Sequence, residues 1–86
     1  MEKFKVSSKT DSAKLAGAIA GAIRGGNGVE MQAVGAGSVN QAIKATAIAR
    51  GFLSPSGIEI AVVPSFRDVQ LHREERTSIV LEVKRA

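Results

Sequence analysis

The sequence predicts an α+β fold in two layers with the element order βαβαββ: a mixed four-stranded sheet in the spatial order 1-2-4-3, with two helices on one face. Three observations predict it. Two stretches with apolar residues three and four apart, Ser12 to Arg24 and Ser38 to Arg50, each follow a short run that alternates apolar and polar residues. The stretch from Ile58 to Lys84 holds two more alternating runs and no helical spacing between them. Pro64 stands inside the third run, and a proline cannot donate to a strand ladder, so that strand belongs at an edge. Right-handed crossovers then place both helices on one side, with strands one to three parallel and strand four antiparallel between two and three.

The elements follow in order. Glu2 to Ser7 alternates Phe4 and Val6 against Lys3 and Lys5, a half-buried strand. Asp11 or Ser12 supplies a side-chain oxygen that caps the first helix, Ser12 to Arg24. Leu15, Ile19 and Ile23 form its stripe, widened by Ala16, Ala20 and Ala22. Gly17 and Gly21 read as positions where this helix lies close to the sheet, since each loses roughly 1 kcal/mol of helix propensity relative to Ala. Gly25-Gly26-Asn27-Gly28 accepts positive φ and ends it.

Val29 to Val34 is the second strand, Gly35-Ala36-Gly37 a turn, and Ser38 to Arg50 the second helix, stopped by Gly51 and kept stopped by Pro55. On a helical wheel Val39, Ala42, Ile43, Thr46 and Ala49 gather toward the core. Ile48 falls with Asn40, Gln41 and Lys44 on the outer side, which marks Asn40, Gln41 and Ile48 as a candidate subunit interface. The third strand runs from Ile58 to Phe66, with Ile60, Val62 and Phe66 on one face, and the fourth from Thr77 to Lys84, with Ile79, Leu81 and Val83 facing the core. Between them RDVQLHREER has no Gly and no Pro, so a tight Asn-Gly turn is not expected. Val69 and Leu71 alternate with Asp68 and Gln70, which extends the hairpin outward as an arm turning near His72 to Glu75.

Composition bounds the function. The 86 residues read as one domain, 1-86. Only three are Phe and none is Trp or Tyr, so the core is built of small side chains, and such cores often gain support from a second copy. No cysteine is present, which removes disulfides and thiolate metal sites, and a single histidine removes any multi-histidine site. No apolar run reaches membrane-spanning length and MEKFKVSSK has no apolar leader core, so the expectation is a cytoplasmic protein without a membrane partner. The net charge of +4 favours a polyanion such as nucleic acid.

Catalytic groups are scarce. His72 sits in a solvated hairpin tip with neither an orienting neighbour nor a pocket, and the carboxylates form no motif. No enzyme activity, metal, cofactor or small-molecule substrate is expected. Gly35, Gly37 and Ser38 open a helix where backbone N–H groups favour an anion. The dinucleotide fingerprint would need a glycine where Asn40 stands, and no Lys-Ser/Thr pair makes a phosphate loop, so a nucleotide site is disfavoured while a backbone phosphate fits. The basic residues fall into groups: Lys3 and Lys5 on strand one, Lys9 in the loop after it, Lys44 and Arg50 on the second helix, and Arg67, Arg73 and Arg76 in the arm. An arginine-bearing β-arm can enter a groove while lysines on the body meet flanking phosphates.

The run AVGAGSVNQAIKATAIARGFLSPSG, residues 33 to 57, closely resembles the bacterial stage V sporulation protein S family, and FKVSSKT, AKLAGAIAGAIR, VVPSFRDVQ and EERT match it as well. The resemblance covers essentially the whole chain and implies a small cytoplasmic regulator of spore development, septation and coat assembly. That family is in turn similar to the Alba-like nucleic-acid-binding fold, which has the same βαβαββ order and usually dimerises. Alba-type proteins use basic residues in the loop after strand one and in the hairpin arm; Lys9 stands in the first place here, and Arg67, Arg73 and Arg76 in the second. The combined expectation is a homodimeric Alba-like regulator that binds DNA or RNA through Lys9, Arg67, Arg73 and Arg76, with Lys44 as a further contact. The alternative is a protein-interaction module that uses the second helix and the arm.

Overall fold

The computed structural model describes residues 1–86. It contains β1 (Glu2–Val6), α1 (Ser12–Arg24), β2 (Val29–Ala33), α2 (Ala36–Leu53), a 3₁₀ turn (Ser54–Ser56), β3 (Ile60–Leu71) and β4 (Glu74–Arg85). The strand order is β1-β2-β4-β3, with β1 and β2 parallel and β4 antiparallel to both neighbours. The predicted order 1-2-4-3 and the edge position of the Pro64 strand are therefore what the chain adopts.

The sheet separates its two faces by the strand's period of two. Val29, Met31 and Ala33 are buried with Leu81 and Val83 under both helices, while Glu30 and Gln32 alternate onto the other face. That other face carries no second layer. Its rows run Lys3, Glu30, Glu82 and Lys5, Gln32, Val80 across β1, β2 and β4.

Asp11 caps α1, its Oδ1 accepting from the Ala13 and Lys14 N–H groups at 3.0 and 3.1 Å. The stripe buries Leu15, Ala16, Ile19, Ala20, Ala22 and Ile23. Ile19 and Ile23 are closed off completely, and burial of each such side chain contributes roughly 1.5–3 kcal/mol. Gly26 (φ 84°) ends the helix. The Asn27 N–H reaches the Ala22 carbonyl and the Gly26 N–H reaches that of Ile23, which satisfies two orphan helix carbonyls. Gly17 and Gly21 do not serve close approach to the sheet: both lie on the exposed face, and a Cβ at either meets nothing within 4 Å.

In α2 the structure departs from the wheel and from the expected stop. Helical geometry runs through Gly51, because Leu53 is fully buried and anchors another turn to the core. Gly57 (φ 72°) ends the segment instead, after the Pro55-containing turn. At the other end the helix opens at Ala36 with Gly35 (φ 89°) as its cap, so Ser38 lies inside the first turn and is buried. The inward residues are Ser38, Ala42, Ala45, Thr46, Ala49 and Leu53. Ile43 is 45% exposed, whereas Ile48 is half-buried against the core, so the two isoleucines exchange the roles expected of them.

β3 and β4 pair continuously from Ile60↔Arg85 to Leu71↔Glu74, but β2 covers β4 only from Ile79 to Val83. The five pairs from Arg67↔Ser78 outward therefore form a free two-stranded arm, about 17 Å long at 3.4 Å per residue. The molecule measures 44 Å along its longest axis against 21 and 15 Å on the others. Phe66 points to the helix side, but beyond the helices, and is 77% exposed rather than part of the core with Ile60 and Val62. The arm closes in two residues, His72 (φ 52°) and Arg73 (φ 66°), a tighter turn than the residue types there suggested. Twelve-residue strands in matched register leave only two residues to reverse the chain, and such a hairpin loop takes positive φ at both.

Two stability outcomes follow from these backbones. The double substitution His72→Asn with Arg73→Gly should raise stability by about 1 kcal/mol, because Asn and Gly tolerate the left-handed region. A fall in the thermal midpoint would show that the native side chains brace the tip. Gly17→Ala and Gly21→Ala should each add about 1 kcal/mol in urea unfolding, since their sites are open. Destabilisation by either would mean that another molecule packs on this face.

Candidate nucleic-acid interface

The parallel strands β1 and β2 end at the same edge of the sheet, and β3, running the same way, carries the arm beyond it. The first loop, the start of α2 and the arm thus share one end of the molecule. The loop from Ser7 to Thr10 is tied into a turn. Thr10 Oγ1 accepts from the Ser7 N–H at 2.8 Å, and Ser7 Oγ accepts from the Lys9 N–H at 3.1 Å. Gln41 donates to the Thr10 carbonyl at 2.8 Å, fastening the loop to α2. Gly37 has a positional reason here: a Cβ would stand 3.0 Å from that of Ser8. Lys9 projects from this braced loop into solvent.

The site residues divide accordingly. Arg73 lies at the arm's tip and Arg76 three residues on, both exposed, and neither pairs with a carboxylate. Arg67 is different. It grips Glu30 of β2 with both terminal nitrogens, at 2.9 and 3.0 Å, reaching diagonally across β4 on the open face. Val80 lies along that path and is only 3% exposed although no helix covers it. The Arg67 hydrogen bond comes first, and the charges of Arg67 and Lys3 add to it, in holding the Glu30 carboxyl below its usual value against the opposing effect of burial. Arg50 likewise holds Glu59 through two 2.8 Å hydrogen bonds. Of the expected interface residues on α2, Asn40 is exposed, while Gln41 has an internal partner and Ile48 packs inward. Lys44 is exposed on the outer side with Asn40 and Ile43.

Gly35, Gly37 and Ser38 do form the opening turn of α2, with no side-chain cap on its first N–H groups. A groove of about 330 Å³ lies beside it, between body and arm, bordered by Lys5, Ser7, Gln32, Ser38, Gln70 and Leu71. The groove was not legible in the sequence, which placed Lys5 only among the basic residues of strand one. Alternation puts Lys5 on the open face of β1, but its approach to the arm depends on how β3 passes the end of the sheet. Only Arg50 and Arg67, of the twelve Lys and Arg residues, pair with carboxylates. Neither α1 nor α2 contains an acidic residue.

A two-layer βαβαββ sheet with a projecting hairpin is an Alba-like fold. Alba from Thermoplasma volcanium is similar in structure, with a TM-score of 0.64 over 95% of both chains at 15% sequence identity, a likeness of fold. The family model for Stage V sporulation protein S (SpoVS) matches residues 2–86, and the chain belongs to that family.

Acid sensitivity tests the Arg50–Glu59 contact. The guanidinium, and after it the Ile60 N–H, lower the Glu59 carboxyl from 4.5 to about 2. A carboxylate depressed in the folded state stabilises above its unfolded pKa, and that contribution is lost as pH falls from 4.5 toward 2. Arg50→Gln should therefore flatten the fall in urea midpoint across that window. An unchanged acid limb would show that the contact contributes nothing in solution.

Proposed function

We propose that this protein is a regulator in sporulation or a related developmental process, and that it binds nucleic acid, DNA or RNA, as a homodimer. The observation that carries the reading is the arm: two exposed arginines without carboxylate partners, Arg73 and Arg76, on a two-stranded ribbon beyond the end that also presents Lys9. Family membership supports the developmental role, and the Alba-like fold supports the class of partner. Phosphate contacts from Arg73, Arg76 and Lys9 position the nucleic acid, and Lys44 is a further contact on the body. Arg67 acts mainly as a strut that ties the arm to Glu30, and meets phosphate only by exchanging that carboxylate for it. The second copy sits on the outer side of α2 around Asn40 and Ile43.

A second reading is favoured by one observation. Phe66 at 77% exposure, next to exposed Pro64 on the same strand, is an apolar surface with no cover in this chain. A protein partner or the second copy fits it, and in that reading helix and arm meet protein rather than nucleic acid.

Titration of duplex DNA, single-stranded DNA and RNA at two salt concentrations separates these readings. Binding to nucleic acid should weaken steeply with salt. Arg73→Ala with Arg76→Ala should remove most of it and lower the log–log salt slope by about one per cation lost. Unchanged affinity in that variant sinks the arm as the site, and salt-insensitive binding to a protein favours the second reading.

A further inference from the structure

We propose that the groove between arm and body receives one unstacked nucleobase, so that the protein takes single-stranded nucleic acid in preference to duplex. This rests on the nucleic-acid reading above and deepens it. The groove's volume, about 330 Å³, lies at the lower end of the small-ligand range of roughly 300–1,000 Å³. Its lining mixes apolar walls, including Val34, Val69 and Leu71, with two side-chain amides: that of Gln70 is free, and that of Gln32 donates to Ser78 Oγ at 3.3 Å and keeps its oxygen as an acceptor. Amides carry both donors and acceptors, the chemistry that reads a base edge. The sole charged residue on the lining is Lys5, and no carboxylate is present to repel a phosphate. A base entering here brings its own phosphate toward that ammonium.

The groove is also placed for the task. Gln70 and Leu71 are the last residues of β3, immediately before the turn that holds Arg73. A strand whose phosphates follow the arm's arginines toward Lys9 crosses the mouth of the groove. A concave site cannot take a base that remains stacked in a duplex, and extruding one costs a few kcal/mol, so an unpaired strand is the natural substrate. No aromatic ring lines the groove, so apolar contact and hydrogen bonds hold the base in place of stacking.

The test uses the whole protein with short single-stranded RNA and DNA oligonucleotides carrying one 2-aminopurine, their duplex forms, and abasic versions of the same strands. Unstacking into the groove should raise 2-aminopurine fluorescence on binding. The single strand should bind at least tenfold more tightly than the duplex, and the abasic strand should lose most of that margin. Gln70→Ala with Leu71→Ala, at exposed arm positions, should abolish the fluorescence rise while leaving the thermal midpoint unchanged and lowering the salt slope by no more than the single Lys5 contact. Side-chain amide signals of Gln32 and Gln70 should shift in NMR spectra of the complex. Salt-sensitive binding in which the intact single strand is held no more tightly than its duplex or its abasic form, or without a fluorescence change, overturns the groove and leaves the arm standing. No binding of any nucleic acid at low salt overturns both.

Discussion

The structure depends on the unequal cover of β4. From Ile79 to Val83 this strand is paired on both sides and contributes Leu81 and Val83 to the core; from Glu74 to Ser78 it has only β3 beside it. A five-residue β2 cannot cover a twelve-residue neighbour, so the remainder of the hairpin must leave the body. The two-residue turn follows from the matched register of β3 and β4, and the exposure of Phe66 from its place beyond the helices; the 44 Å long axis follows from that mismatch. So does the groove, which exists because the arm starts where the parallel strands end.

Charge is arranged around the same geometry. The Arg67–Glu30 pair joins the root of the arm to the middle of the sheet and covers Val80 on a face that no helix protects. Two other guanidiniums sit at helix carboxyl ends: Arg24 donates to the Phe52 carbonyl of α2 at 2.9 Å, and Arg85 approaches that of Ile23 in α1 at 3.5 Å. Each places a cation where the helix dipole is negative. These arginines secure the body, which leaves Arg73, Arg76 and the lysines as the cations with least to hold them in place. Bracing and free cations are therefore separate sets: the guanidiniums that hold the arm and the helix ends are not Arg73, Arg76 or Lys9.

The small core has a consequence for association. Alanines and a few branched residues fill the space between sheet and helices, and the larger apolar side chains Ile43, Val63, Phe66 and Leu71 remain partly or largely outside. Exposed glycines at 17, 21 and 51, each with open space where a Cβ would be, leave both helices with flat outer faces. Surfaces of this kind lose little side-chain entropy when another molecule covers them.

Element order, sheet order and a cap at Asp11 or Ser12 were legible in the sequence, since they rest on local patterns: alternation, 3.6-residue spacing, a capping oxygen, and one proline that cannot serve an inner strand. The stretch around Gly51 was misread because a glycine's stop signal is weak, and burial of Leu53 overrides it. Ile43 and Ile48 lie five residues apart on a helix whose alanines and glycines spread its apolar surface widely, so a wheel alone could not decide which faces in. The Arg67–Glu30 pair, the internal bond of Gln41 and the groove join residues more than thirty positions apart. By itself the sequence determined which segments are helices and strands and how they must be connected, because those choices are governed by near neighbours. Only the tertiary structure decided which arginines are held and which are free, because that depends on where β3 and β4 outrun β2.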